Sequence, residues 1–370
     1  MTSAKPLITT IVPTYRRPQL LQRAIRSVLA QTYPHFQVCV YDNASGDETA
    51  AVVRTLAEAD PRVKYYCHTE NIGAFKNFVF ALERLDTRFF SILSDDDILL
   101  PSMYKLALAN LEEFPEAMIS VAPTIGVDNG GRVCFVASSG RNAGLHTPPE
   151  GMLSMLEVGQ APIWTGMLFR REVLEKVGSL DAKAGNLFDL DFQLRVAARF
   201  PIVTSLEPGA LLLAHSASQS STMRFEERAG GWFELIRKIS SDEAIPLHAR
   251  TQVAHMLNDQ LRTLLSSSAR AFIVRGEWER TEKTIDMLRN YCHLSFQPFL
   301  FSTAARMCRS IPPLHVFLRG VRSLKRWVVS LLPDRNGEQL EKTYGGYARY
   351  LRLYSVAIEA SEGYGGMMRG

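Results

Sequence analysis

Three consecutive acids, Asp95, Asp96 and Asp97, sit in "SILSDDDILLP" (residues 91–101), after an apolar run and shortly before Pro101. Adjacent carboxylates repel one another unless a cation or strong hydrogen-bond donors neutralise them. The triplet therefore reads either as a cation site or as a solvated turn whose acids cap the following helix, because Asp is a favoured N-cap residue. The segment contains no His or Cys. Carboxylates on their own suit a hard, oxygen-loving ion, Mn2+ or Mg2+. Such an ion keeps waters and bridges to phosphate, so two or three protein oxygens suffice, and a metal–diphosphate substrate is the expected ligand.

The elements that must hold this turn decide between the two readings. "LITTIVPTY" is a short β-rich run, and Leu20, Leu21, Ala24, Ile25, Val28 and Leu29 follow at helical spacing after Pro18, which fits a first helical turn. "FQVCVYDNASGD" reads as a strand ending in an Asx/Gly turn, with a helix over "GDETAAVVRTLAEAD". "RVKYYCH", "RFFSILS" and "AMISVAP" are further strands, and "GAFKNFVFALERL" and "PSMYKLALANLEEF" are the helices between them. This alternation predicts an α/β fold with a mostly parallel, Rossmann-like sheet flanked by helices. Ligands of such sheets bind at the carboxyl ends of the strands. Thr14, Tyr15 and Arg16 fall at the end of the first strand, Asp42 and Asn43 at the second, and Ser94 to Asp97 at the fourth. Convergence on one rim favours a site over capping, with Asp42 and the Thr14 loop available to hydrogen-bond a base and ribose. No G-x-x-x-x-G-K-[ST] or G-x-G-x-x-G stretch is present, which argues against P-loop NTPases and dinucleotide oxidoreductases.

The 370 residues, 46% hydrophobic, bury a sizeable core and suggest about two domains. Residues 1–222 hold 20 Lys and Arg against 23 Asp and Glu, and residues 223–370 hold 22 against 15. The second part is therefore mildly basic, and its patterns are helical. From about Gly130 to Pro162 the pattern breaks into Gly, Ser, Asn and Pro, as in "SSGRNAGLHTPPEG", which reads as a loop-rich insertion or a hairpin excursion. Five widely spaced cysteines, with Cys39 and Cys134 expected to be buried thiols, favour a reducing compartment and give no zinc pattern. With neither a secretory signal nor a spanning apolar window visible, a cytoplasmic protein is expected.

"TTIVPTYRRPQLLQRAIRSVLAQTYPHFQVCVYDNASGDET", "ENIGAFKNF" and "SILSDDDILLP", in that order, resemble glycosyltransferase family 2 over residues 8 to about 222. That resemblance implies the GT-A fold and inverting transfer from a nucleoside-diphosphate sugar. It places Pro13, Thr14, Tyr15 and Arg16 around the nucleotide, Asp42 on the base, and the triplet where the family carries D-x-D. Ser94 then stands where the first Asp often sits, and two registers survive. Either Asp96 is the principal metal ligand, with Asp95 and Ser94 reaching ribose and metal water, or Asp95 and Asp97 form the pair. The first is preferred. The family's base is the Asp of a late Glu-Asp pair before an Arg. "FDLDFQLR" supplies Asp189, with Phe188 in place of Glu, and Asp191 is the alternative base. Both acids also suit a helix N-terminus. Trp164, in a segment resembling the sugar side of these sites, is expected either to stack on a sugar or to be a core residue. His215 resembles a late His near the diphosphate or metal, and Arg224 and Arg228 are candidate phosphate clamps.

The chain is thus expected to comprise a catalytic domain over 1–222 and a mainly helical region over 223–370. Residues 300–335 mix apolar bulk with seven Lys or Arg and one Asp. They read either as a helix on an anionic membrane surface or as a basic face packed on the catalytic domain. The expected partners are a nucleoside-diphosphate sugar and a glycan or lipid-linked acceptor, as in bacterial surface-polysaccharide assembly, together with the inner membrane surface or a second copy in a homo-oligomer; no nucleic acid is expected. The competing readings are a non-catalytic nucleotide-sugar or glycan-binding module and a sugar-phosphate nucleotidyltransferase.

Overall fold

A computed structural model describes residues 6–138, 142–157, 162–214, 225–291, 296–311 and 335–354. His215, Arg224 and residues 312–334 of the basic stretch lie outside the described residues.

β1 (Ile8–Thr14), β2 (Phe36–Asp42) and β3 (Val63–Cys67) pair in parallel, joined by α1 (Pro18–Leu29) and α2 (Thr49–Ala59). The strands are apolar because helices cover them, as parallel sheets require. Leu21, Ala24, Ile25 and Val28 of α1 are fully buried with Ile8, Val12, Val38 and Val40 in one cluster. After α3 (Ala74–Leu82) the chain returns to the other side of β1, where β4 (Phe89–Ile92) pairs in parallel, Ile11 facing Ile92. The strand order therefore reverses between β1 and β4, and the crevice at such a reversal is where open α/β sheets bind ligands.

β5 (Ile98–Leu99) and α4 (Met103–Glu113) follow, then β6 (Ile119–Val121), β7 (Thr124–Val127), β8 (Val133–Ala137) and β9 (Gly144–His146). α5 (Glu150–Glu157), β10 (Met167–Arg170), α6 (Val173–Val177), α7 (Phe188–Ala197), β11 (Ile202–Thr204) and β12 (Ala210–Leu213) complete this part. The main sheet runs β3-β2-β1-β4-β10-β6-β11-β9 and a second runs β5-β12-β7-β8. β10 is antiparallel to both of its neighbours and β9 to β11, so the sheet is mixed beyond β4. Residues 130–162, read as loop-rich, carry β8, which pairs with β7 in a hairpin, then β9 and α5. Cys134, expected to be buried, is exposed, because β8 is an edge strand with one face free, whereas Cys39 on β2 is buried as expected.

The described chain divides into two compact units. The first comprises Met1–Ala182, Phe188–Met223 and Gln339–Gly370, so it runs past the expected limit at residue 222 by taking back a C-terminal segment. Leu351 and Tyr354 of that segment pack with Ile98, Leu100, Ile125 and Leu211, and the amide of Val133 donates to Glu341 at 3.0 Å. The second unit, Lys183–Leu187 and Arg224–Glu338, is helical, with helices over Phe225–Ser241, Leu247–Arg275, Trp278–Tyr291 and Phe296–Ser310. Its longest helix buries Ala249, Val253, Leu257, Leu261, Leu265 and Ala269 at four-residue spacing. Leu261 and Leu265 meet Phe225, Phe272 and Leu288 in a core of their own. Among the described residues no helix is long and apolar enough to cross a membrane.

Candidate active site at the strand reversal

The acid triplet occupies the turn where the chain leaves the main sheet at β4 and enters the small sheet at β5. Leu93 donates its amide to the carbonyl of Ile11, and Asp97 closes the turn by donating to the carbonyl of Ser94 at 3.1 Å. Ser94 is only partly buried, whereas the three acids are 6%, 8% and 2% exposed in chain order. That burial rules out the solvated-turn reading, so each carboxylate must find compensation inside the protein.

Each finds a different one. Asp97 accepts the Thr165 hydroxyl at 2.9 Å and the Leu213 amide at 3.2 Å, one on each oxygen. It ties the turn to β12 and to the 3-10 turn Trp164–Gly166. Burial, with Asp96 next in weight, pushes its carboxyl well above the usual range, opposed by those two hydrogen bonds. Asp95 accepts the Thr14 hydroxyl at 2.8 Å on Oδ2. Its Oδ1 lies 3.1 Å from Arg17 Nη1, the same nitrogen that stands 2.9 Å from Asp96 Oδ2. Burial and the Asp96 charge push Asp95 up to about 6, against the pull of Arg17 and Thr14. A second guanidinium, that of Arg23, donates to the Asp96 carbonyl at 2.7 Å. Burial lowers its pKa, and Asp97 and Asp96 partly offset this.

β1 and β2 bring the other clusters alongside. Thr14 and Asp42 are register partners, and Asn43 donates its amide to the Thr14 carbonyl at 3.0 Å. Asp42 is buried and its carboxylate is fully engaged. Oδ1 accepts the Ser45 amide and hydroxyl at 2.9 and 2.6 Å, and Oδ2 accepts Tyr65 Oη at 2.6 Å. Asn43 donates to Asn71 and accepts the Ile72 amide, so it pins the loop before α3. Pro13 is partly buried, and Tyr15 is 39% exposed with the Arg16 guanidinium over its ring. Arg16 and Ala44 hold φ of 56° and 59°, in the left-handed region. Such a conformation costs a non-glycine residue about 1–2 kcal/mol and concentrates at functional loops.

Asp189 and Asp191 open α7. Asp191 is 2% exposed and accepts Arg195 Nε at 2.9 Å, while the same guanidinium donates to the carbonyls of Val177 and Ser179. It locks the α6–α7 connection. Asp189 is partly buried and accepts the amide of Leu190 at 2.8 Å. Burial pushes its carboxyl up to about 6, with backbone amides as the only opposing contribution. Trp164 is 5% exposed and packs against Phe78 and Phe188, so it is a core residue of an aromatic cluster that Phe75 completes. Phe188, standing where a Glu was sought, belongs to that cluster. Through it the sequence Asp97, Thr165, Trp164, Phe188, Asp189 forms an unbroken line of contacts and chain neighbours from the triplet to α7. Arg228 lies in the second unit, partly buried.

Arg17, Arg23, Thr165 and Tyr65 escaped the sequence reading. Arg17 had one available signal: three buried acids require a cation, and "YRRP" holds the arginines that end the neighbouring strand. Among the described residues no three His, Cys, Asp or Glu side chains form a metal cage. A two-carboxylate site still fits Mg2+ or Mn2+, which take their remaining ligands from phosphate and water. Asp95 Oδ1 and Asp96 Oδ2 already converge on one cationic nitrogen. A cavity of about 510 Å3 in the same unit is lined by Gly131, Arg132, Glu341, Arg349 and Arg352 and includes none of these site residues.

Comparison with known proteins places the fold. The glucosyltransferase of Campylobacter jejuni named "GalNAc(5)-diNAcBac-PP-undecaprenol beta-1,3-glucosyltransferase" is 35% identical over 96 residues, 26% of this chain and 31% of that protein. The chain spans between 14% and 63% of the length of other curated relatives that it matches. TarS of S. aureus (residues 1–349) in complex with UDP-GlcNAc superposes with a TM-score of 0.59 at 16% identity, covering 83% of this chain and 92% of that one. The mannosyltransferase PcManGT of Pyrobaculum calidifontis, in complex with GDP-Man and Mn2+, gives 0.52 at 17% identity, covering 96% and 88%. The profile of Glycosyl transferase family 2 matches residues 9–178, which take in β1 from its second residue, β2 to β4, the triplet and β10. Residues 9–178 are thus similar to glycosyltransferase family 2, and the chain shares the GT-A fold of these structures.

Proposed function

We propose that this protein is an inverting, metal-dependent glycosyltransferase that moves a sugar from a nucleoside-diphosphate donor to a hydroxyl of a glycan or lipid-linked saccharide in polysaccharide synthesis. The observation that carries the reading is the pairing of two unlike carboxyl sites in one unit: Asp95 and Asp96 converging on a shared cation at the strand reversal, and Asp189 desolvated with no cation beside it among the described residues. The nucleotide lies along the ends of β1 and β2, with its diphosphate toward Asp95 and Asp96. Thr14 holds one oxygen of Asp95 so that the other faces the cation. Asp97, its two oxygens taken by Thr165 and Leu213, shapes the turn rather than binding metal. A bound Mn2+ or Mg2+ would neutralise charge on the departing diphosphate.

Asp189 takes the acceptor proton. The acceptor oxygen forms its bond to the anomeric carbon on the face opposite the diphosphate. The bond to the diphosphate oxygen breaks with its electron pair, and the anomeric configuration inverts. A carboxyl near 6 is ionised at neutral pH yet basic enough to accept that proton. Asp191 is committed to Arg195 and serves the α6–α7 connection. The donors held by TarS and PcManGT, UDP-GlcNAc and GDP-Man, support a nucleotide-sugar donor, and Mn2+ in the latter supports a divalent ion. The undecaprenol-linked acceptor in the Campylobacter enzyme's name supports a lipid-linked acceptor and work at the cytoplasmic membrane face.

The test is release of free nucleoside diphosphate from a panel of donors including UDP-GlcNAc and GDP-Man, with Mn2+, saccharide acceptors and full-length protein. Release that depends on acceptor, on Mn2+ and on Asp189 is expected. Tight donor binding with no release under any combination would replace this reading with a nucleotide-sugar-binding module.

A further inference from the structure

Two arginines meet the triplet in contrasting ways. Arg23 is buried and its guanidinium donates to the main-chain carbonyl of Asp96, so it is part of the turn's framework. Arg17 reaches the carboxylates themselves with a single nitrogen, 3.1 Å from Asp95 Oδ1 and 2.9 Å from Asp96 Oδ2. Its side chain is 25% exposed, whereas those of Asp95 and Asp96 are 8% and 11% exposed. It extends from the N-cap position of α1, outside the helical hydrogen-bond ladder. The guanidinium therefore stands nearer to solvent than the carboxylates it bridges.

The carboxylates of Asp95 and Asp96, which would hold a divalent ion, are the ones that Arg17 Nη1 now bridges, and a second cation beside them would repel the guanidinium. Both cations neutralise the same two acids. We propose that Arg17 is the resident counter-ion of the Asp95–Asp96 pair and that the metal displaces it, so that metal binding is coupled to arrival of a nucleoside diphosphate, which receives the freed guanidinium. This rests on the proposed reading of that pair as a metal–diphosphate site. Phosphate oxygens match the planar fork of Arg and accept it bidentately. With a diphosphate present, both cations meet an anion. The coupling is reciprocal: the diphosphate tightens metal binding by the factor by which metal tightens diphosphate binding.

The test is titration of the full-length protein with Mn2+, following the electron paramagnetic resonance signal of unbound ion, alone and with UDP or GDP as probe. Arg17→Met is expected to bind Mn2+ alone about tenfold more tightly than the wild type, within the usual range of coupling factors. The tightening of Mn2+ binding by nucleotide is expected to shrink by a similar factor. Arg17→Lys, which keeps one charge on a side chain without the fork, is expected between them and supplies the comparison if Arg17→Met does not fold. Equal Mn2+ binding by wild type and both variants, with nucleotide still tightening it, overturns the competition and leaves the metal site standing. No Mn2+ binding by any of them, with or without nucleotide, overturns the metal site and the competition together.

Discussion

Asp95 and Asp189 are both carboxyls pushed up to about 6, yet their surroundings share almost nothing. Asp95 is crowded by Asp96 and relieved by Arg17 and Thr14, so it sits in a pocket of alternating charge. Asp189 is raised by burial, beside an aromatic cluster, with backbone amides as its relief among the described residues. The same displacement therefore signals two roles. A carboxylate held among other acids by a cation suits the metal-binding role proposed for Asp95. One removed from water, with no cation beside it among the described residues, stays ionised at neutral pH yet binds a proton more readily than a solvated carboxylate, which suits a base. Phe188 sharpens the contrast, because a Glu there would add a second negative charge next to Asp189.

The largest effect that could break this comparison is expected for Asp189→Asn. Turnover should fall roughly 10^2–10^4-fold, the usual contribution of a positioned base, with donor affinity preserved. Unchanged turnover, measured as nucleoside diphosphate release, would remove Asp189 from the chemistry.

Next is the pH dependence. Asp189 must be ionised to accept a proton, so kcat/KM should fall about tenfold per pH unit below an apparent pKa of about 6. The limb should persist in Asp95→Asn. Its disappearance there would assign the titration to the triplet instead.

A third effect concerns the turn. Thr165→Val deprives a buried Asp97 oxygen of its hydroxyl donor. It should lower stability by about 1–3 kcal/mol, the cost of leaving one buried acceptor unpaired, as read by denaturant unfolding.

The smallest effect reverses the usual direction of a mutation. A carboxyl whose folded-state pKa lies above its unfolded value, 3.8 rising to about 6, stabilises the fold in its protonated form and loses that contribution as pH climbs through this window. Asp189→Asn should therefore be more stable than the wild type above pH 6, by about 1 kcal/mol after allowing for partial exposure, and indistinguishable near pH 3. Urea midpoints at the two pH values would measure it. Equal midpoints at both would show that burial does not strain Asp189.

Much of this was legible because it is local. Alternation of short apolar runs with helical spacing exposed β1 to β4, and strand-end polar clusters exposed Thr14, Asp42 and the triplet. What was hidden depends on pairing between distant segments. Nothing in "GMLFR" announces a strand antiparallel to both β4 and β6. The return of residues 339–354 to the first unit rests on contacts such as Glu341 with Val133, more than two hundred residues apart. Trp164 could equally have faced a sugar; only its packing on Phe78 and Phe188 makes it core. Arg17 gains its place only where the turn carrying Asp95 and Asp96 folds against it, a pairing of segments some eighty residues apart.

The most direct test of the central claim, a metal–diphosphate site built on Asp95 and Asp96, is thermal unfolding of wild type and Asp96→Asn across a panel of nucleoside diphosphates with and without Mn2+. A ligand that binds only the native state raises the midpoint by mass action. At least one nucleotide should raise the wild-type midpoint with Mn2+ and do so much less without it, and Asp96→Asn should lose the metal-dependent part. A nucleotide shift of equal size in both proteins, indifferent to Mn2+, would contradict the account.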